Sequence, residues 1–240
     1  MKKSILIAGL LLTSIGHVNA EDKATDEGKW SGSGYLGLTS TSGNSDTESL
    51  TAGLKIKYET NKWINDAALD LLRASSNDVN TAERVIFSTK TGYKLDDNDY
   101  IYYGSRYEND NFSAFDYTMS TGVGWGHKFI ENDNDMFITE VGIGYKIEAL
   151  DIDREENTGI AFLGKLDYMH KFTDTMTFEN VTIIESTSDN NFFQNDAGLS
   201  FKVNDKFAVK LVHQLRHNTD VPVGIDKTDT LVSANLVYDF

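Results

Sequence analysis

The sequence predicts an all-β protein, a transmembrane antiparallel up-and-down β-barrel of about twelve strands. Three observations carry this reading. The last stretch, Lys227 to Phe240, alternates: Phe240, Tyr238, Leu236, Ala234 and Val232 share one face, and Asp239, Val237, Asn235, Ser233 and Leu231 the other. The chain before it divides into further runs of the same kind, an even number in all. Aromatic residues bracket every second connection between those runs.

The N-terminus comes first in chain order. Lys2 and Lys3, the apolar run Ser4 to Gly16, and the small-residue site Val18-Asn19-Ala20 form a secretory signal peptide over residues 1–20. A tail over 21–29 follows, and the barrel is expected over 30–240. With no cysteine in the chain, neither a lipid anchor on Cys nor a disulfide framework is available. No later segment approaches the run of about 20 apolar residues that a spanning helix needs. Removing Lys2 and Lys3 leaves 20 of the 22 basic residues against 37 acidic ones, a net charge of −17. That balance argues against a nucleic-acid partner.

The strands are expected near Trp30–Thr41, Thr47–Glu59, Trp63–Ser75, Thr81–Leu95, Tyr100–Asn109 and Phe115–Ile130. The second half continues near Met136–Ala149, Thr158–Lys171, Met176–Ser188, Phe193–Val203, Lys206–His217 and Thr228–Phe240. In the sixth run Tyr117, Met119, Val123 and Trp125 oppose Ser120, Gly122, Gly124, Gly126 and Lys128. In the second, Leu50, Leu54, Ile56 and Tyr58 oppose Gly53, Lys55, Lys57 and Glu59. The ninth run fits either phase. The Gly- and Lys/Arg-rich face suits a lumen and the apolar face suits lipid.

Connections after even strands are tight and aromatic-flanked: Tyr58 and Trp63, Tyr93 and Tyr100, Phe129 and Phe137, Phe172 and Phe178, Phe201 and Phe207. Those after odd strands are looser. Short turns and an aromatic girdle at one end, with looser loops at the other, match an outer-membrane barrel.

Trp30-Ser31-Gly32, Leu36-Gly37-Leu38, Ser42-Gly43-Asn44-Ser45 with Thr47, and the closing Asp229-Thr230 through Tyr238-Asp239-Phe240 together resemble a Gram-negative family. It is described as the salt-induced outer membrane protein family, a domain of unknown function. The resemblance covers essentially the mature chain. It implies an outer-membrane location and a tie to salt stress, and it brings no catalytic residues.

A barrel enzyme would need a nucleophile beside a base. None of His127, His170, His213 and His217 has a Ser two residues along its strand, and no Asp-x-His spacing occurs. Asp151 to Glu156 is acidic, but Glu156 stands where a helical-type calcium loop needs Gly. Gly43-Asn44-Ser45 reads as a turn. No enzyme activity, metal or cofactor is therefore expected.

Charges on the predicted inner face carry the functional expectation. Lys55, Lys57, Arg84, Lys90, Lys94, Lys128, Lys146, Lys202, Lys210 and Arg216 point inward, and the inward acids Glu59, Glu140, Glu148 and Asp196 are fewer. Facing lipid at mid-membrane each Lys or Arg would cost about 2–4 kcal/mol, so they face water or partners. The expectation is a narrow, weakly anion-selective channel or a barrel plugged by salt bridges and structural in role. A soluble periplasmic β-protein is the alternative, and a barrel enzyme the other. Pore-lining candidates are Lys55, Lys57, Arg84, Lys90, Lys128, Glu140, Lys146, Lys210 and Arg216. Tyr238 and Phe240 resemble an assembly signal read by the outer-membrane insertion machinery. The other expected partners are outer-membrane lipids and lipopolysaccharide, around a monomer.

Overall fold

The structure, a computed structural model, describes residues 28–41, 47–77, 79–150 and 156–240. The predicted signal peptide, most of the tail, the Gly43-Asn44-Ser45 turn and the acidic loop before Glu156 lie outside the described residues. Twelve antiparallel strands close into a barrel with neighbours in sequence order. They are β1 (Lys29–Thr41), β2 (Thr47–Glu59), β3 (Trp63–Ser76), β4 (Val79–Lys94), β5 (Asp99–Asp110) and β6 (Phe115–Glu131). The others are β7 (Asp135–Leu150), β8 (Glu156–Thr173), β9 (Met176–Ser186), β10 (Asn191–Lys202), β11 (Phe207–Asn218) and β12 (Thr228–Asp239). The expected strands reappear within a few residues.

Both ends of the described barrel and the turns after even strands lie at one end, which is the periplasmic end of such barrels. Four of those turns use one device. The side-chain oxygen of the first turn residue accepts the backbone N–H groups two and three residues on. In this way Thr60 holds Lys62 and Trp63, Asp96 holds Asn98 and Asp99, Asn132 holds Asn134 and Asp135, and Asn204 holds Lys206 and Phe207. Short polar side chains mimic a backbone turn here, so these hairpins need no glycine.

The register settles which face is which. Leu54, Met119, Val123, Trp125, Val209 and Leu236 are exposed on the outside, as the alternation predicts. The ambiguous β9 turns Glu179, Val181, Ile183 and Glu185 inward, because each pairs with an inward residue of β10 or β8.

The girdle differs from expectation at three places. Phe129 does not pair with Phe137: a bulge between Lys128 and Ile130 leaves it unpaired, and Ile130 takes the partner. A second bulge frees Phe172 in the same way. Both rings stay exposed on the outer wall. Tyr100 is not a girdle residue at all. It points inward and is 3% exposed.

The inner wall of β6 and β7 is paved with glycine. Gly122 faces Gly144 and Gly124 faces Gly142. A Cβ on Gly124 would stand 2.6 Å from the Tyr102 ring and 2.4 Å from the Val141 carbonyl. A Cβ on Gly126 would stand 2.2 Å from the Tyr100 ring. Glycine is required there because two tyrosines lie flat against the backbone.

Candidate functional site

The lumen has two halves built from similar residue types. Toward the end with the looser loops, side chains cross it. Glu108 near the end of β5 binds Arg216 near the end of β11, six strands away around the barrel. Arg216 also lies 3.5 Å from Asp110, and Arg106 holds Glu108 at 2.5 Å. Arg84 of β4 donates to Gln214 of β11 at 2.5 Å, and Gln214 donates to Asp196 at 2.7 Å. On the other side of the lumen Lys146 pairs with Glu148 at 2.8 Å and Glu185 at 3.2 Å, and Ser120 donates to Glu185 at 2.8 Å.

Phe192 sits at the centre of this layer, 4% exposed. Three cations stand over its ring: Arg216 at 5.1 Å, Lys146 at 5.2 Å and Arg106 at 5.3 Å. A ring face attracts cations, and desolvation strengthens the attraction. Three like charges are held together by that ring and by the four acids Glu108, Asp110, Glu148 and Glu185. Asn190, in the β9–β10 loop, ties the layer to the outer loops. It donates to Glu148 and to Asn218, each at 2.9 Å, and accepts from the Asp220 backbone N–H. The result is a septum of side chains across the outer half of the lumen.

Below it a cavity of about 1010 Å³ runs down to residues at the periplasmic rim, among them Ser31, Lys128, Glu131 and Asp239. Charged pairs in this half follow the wall instead of crossing the axis. Lys57 and Lys94 share Glu59, and Lys165 holds Asp167 two residues along β8. Lys210 binds Glu179. The longest reach belongs to Lys90, which joins Asp66 at 3.2 Å to Glu140 at 2.5 Å, with the Tyr100 hydroxyl donating to Glu140 at 2.6 Å. Tyr35 lies over Gly53 and donates to Asp70 at 2.7 Å.

The predicted pore-lining residues divide between the halves. Lys55, Lys57, Arg84, Lys90, Lys128, Glu140 and Lys210 line the cavity. Lys146 and Arg216 do not. They are 2% and 6% exposed inside the septum. The expected charge balance needs correction. The cavity lining holds eight basic and nine acidic side chains, so inward acids are not fewer than bases. Asp66, Asp70, Asp167, Glu179 and Glu185 lie in strands whose phase the sequence leaves unassigned, Glu131 reads there as part of a connection, and Asp239 sits on the mixed face of the last strand without entering the count of inward acids. Arg106 and Phe192, central to the septum, were also missed, and only the phase of β5 and β10 would have found them.

Asp–His couples exist despite the absent spacing. Asp99 meets His127 at 2.8 Å and Asp135 meets His170 at 2.6 Å, each a cross-strand pair at the girdle. Residues 28 and 35 apart in sequence become neighbours only through the ladder. Both rings stack among Trp125, Phe129 and Phe172 on the outer wall. Among the described residues neither has a Ser or Thr hydroxyl bound to it, and no cluster of ligating side chains forms a metal site.

Tyr238 stacks between Phe207 and Phe240 in the same girdle. Phe240 exchanges both backbone hydrogen bonds with Gly32, at 2.9 Å each, where β12 returns to β1.

The sequence profile described as "Protein of unknown function, DUF481" matches residues 34–240. The chain belongs to that family. A curated relative, the uncharacterized protein YdiY of Escherichia coli (strain K12), is 21% identical over 221 residues, covering 91% of this chain and 86% of YdiY. Among solved structures an outer membrane channel from Pseudomonas putida F1 has a TM-score of 0.51 at 11% identity, covering 93% of this chain and 100% of its own. The NanC porin scores 0.49 at 14% identity, over 88% and 98% of the two chains. The DUF481 barrel of this protein thus has the architecture of outer-membrane barrels, and the family's description names neither a function nor salt.

Proposed function

We propose that this protein is an outer-membrane channel that rests closed, exported by the signal peptide at 1–20 and embedded among outer-membrane lipids and lipopolysaccharide. The observation that carries the reading is the cavity of about 1010 Å³ reaching the periplasmic rim and stopping at a septum made of side chains alone. A barrel with a purely structural role has no use for a cavity of that volume. Side chains, unlike a folded plug, clear a lumen by changing rotamer. Arg216 Nε and Gln194 Oε1 are buried there without a hydrogen-bond partner. Each such group is costly, which keeps the closed arrangement from being a fully satisfied core.

The near balance of eight basic and nine acidic lining residues removes the ground for an anion preference. Conduction through the opened lumen is therefore proposed to discriminate weakly by charge. The tie to salt stress that the family resemblance implies is compatible with a channel shut at rest. Screening over about 8 Å acts on exposed charges and little on a buried septum.

Liposome swelling with a small polar sugar tests this. Vesicles holding the wild type should swell no faster than empty ones, and a folded Glu108→Ala/Phe192→Ala/Arg216→Ala variant should swell readily. An impermeable triple variant would return the protein to a structural role, and rapid swelling with the wild type would remove the closed state.

A further inference from the structure

The ladder that closes the barrel is the short one. β1 pairs with β2 over thirteen positions, from Lys29 to Thr41. β12 pairs with β11 over eleven, from Tyr238 to Thr228. Between β1 and β12 the ladder runs only from Ser33–Asp239 to Leu36–Leu236, below which Gly32 and Phe240 exchange their backbone bonds. Above Leu36 the two strands have no ladder pairing with each other among the described residues. A spanning barrel ordinarily satisfies every backbone group between strands, because hydrocarbon offers no partner. The outer half of this seam departs from that rule.

A single side chain bridges the gap. Asn235 of β12 reaches over Gly37 of β1, and its Oδ1 accepts from the Thr51 hydroxyl of β2 at 2.6 Å. Asn235 Nδ2 donates to Ser233 at 3.0 Å. A Cβ on Gly37 would stand 2.4 Å from Asn235 Oδ1 and 2.7 Å from the Ala234 carbonyl, so only glycine admits the bridge. The wall here is held by one buried amide rather than by a run of backbone bonds.

The outer side of the bridge is apolar, and the inner side is mixed. Outside, Leu38 and Val232 are 71% and 73% exposed, flanking the unpaired stretch. Inside, Leu231, Ser233 and Asn235 line the same cavity that the septum closes at its outer end, with Leu72 of β3 beside Thr51. The cavity thus comes up behind the seam at the level where the axial route is blocked.

We propose that the β1–β12 seam above Leu36 and Leu236 is a lateral port, through which small apolar or amphiphilic molecules pass between the cavity and the outer leaflet. This rests on the channel reading and names the solute class and route. Asn235 is the bolt: opening requires that it leave Thr51 and that the touching backbones part at Gly37 and Ala234, but no ladder has to unzip there. An apolar rim favours solutes that already partition into the leaflet and disfavours small polar ones, which need the axis.

The cysteine-free chain makes the test clean. Continuing the observed register places Leu38 opposite Ala234 on the outer face. A Leu38→Cys/Ala234→Cys pair, oxidised, should lock the port. Val123→Cys/Ile143→Cys, opposite each other in the long continuous middle of the β6–β7 ladder, is the control. The probe is N-phenylnaphthylamine entering intact cells. Protein-dependent uptake should be lost on oxidising the seam pair, return with reductant, and be untouched in the control. Asn235→Ala, which removes the bolt without adding a crosslink, should raise uptake. Uptake that is indifferent to the lock, a folded Asn235→Ala no different from wild type, or no protein-dependent uptake at all would each overturn the port. Sugar permeation through the triple septum variant reads the axial route alone, so it separates failure of the port from failure of the channel reading.

Discussion

The two halves of the lumen hold the same kinds of residue and do opposite things with them. In the periplasmic half Lys57, Glu59 and Lys94, or Lys165 and Asp167, bind along one strand or to a near neighbour, so their chains lie on the wall. In the outer half Glu108 and Arg216 bind from strands six apart, so their chains occupy the axis. Whether a charged lumen is open or shut therefore depends on where partners stand around the circumference, not on how many charges there are. The glycines sharpen the difference. Tyr100 and Tyr102 fold flat onto Gly126 and Gly124 and keep space free below, whereas Phe192 stands into the lumen and gathers cations.

The largest effect expected from breaking this contrast is in the septum. Glu108→Gln removes the ion-pair partner that Arg106 and Arg216 share, leaving Arg216 only Asp110 at 3.5 Å, and should destabilise the folded barrel by about 3–5 kcal/mol. Urea unfolding from lipid vesicles reads it. Lys57→Gln in the lower half, where the pair is half exposed, should change stability by no more than about 1 kcal/mol. Equal losses at the two sites would mean that the septum is no more buried than the wall.

Gly124→Leu and Gly142→Leu come next. Each drives a side chain into Tyr102 and a neighbouring carbonyl, an overpacking cost of about 1–3 kcal/mol, read as lower folding yield. Val123→Leu, one residue away but facing lipid, should leave the yield unchanged.

These glycines show how much of the fold was legible. Strand number, strand bounds and the inward face of β2, β6 and β11 follow from period-2 alternation, whereas the Gly124–Gly142 facing depends on the bulge at Phe129, which shifts the register by one between the turn and the glycines. What alternation does not encode is distance around the barrel. The Glu108–Arg216 pair spans 108 residues and the Arg84–Gln214 contact 130, with no local signal in either stretch. The Asp99–His127 couple was invisible for the same reason on a smaller scale. Bulges at Phe129 and Phe172 lie beyond pattern reading too, since an extra residue in a strand leaves the composition unchanged.

A smaller effect is expected at the closing seam. Deleting Phe240 removes two backbone hydrogen bonds to Gly32, about 0.5–1.5 kcal/mol each, from a ladder already short. The amount of protein in the outer-membrane fraction should fall, whereas deleting Lys29, the first residue of β1, which pairs with Glu59 and not with β12, should have little effect. Normal levels without Phe240 would deny the terminus a part in assembly.

The smallest lies in the turns. Backbone N–H groups of Asp99 and Asn98 hold the Asp96 carboxyl below its usual range, so its ionised form is favoured in the folded state. That contribution is complete above the ordinary carboxylate value of about 4 and is lost as pH falls through the lowered one. Asp96→Asn should unfold slightly more easily than wild type at neutral pH, with the difference closing in strong acid. A difference that persists in acid would assign it to something other than the charge.

The central claim is that the outer half is shut by side chains while the lower half is open. Single-channel recording of the refolded protein in planar bilayers tests it most directly. Wild type should be silent or open only in brief events, and a Glu108→Ala/Phe192→Ala/Arg216→Ala barrel should carry steady current with a reversal potential near zero across a salt gradient. Steady conductance in the wild type, or silence in the folded triple variant, would contradict it.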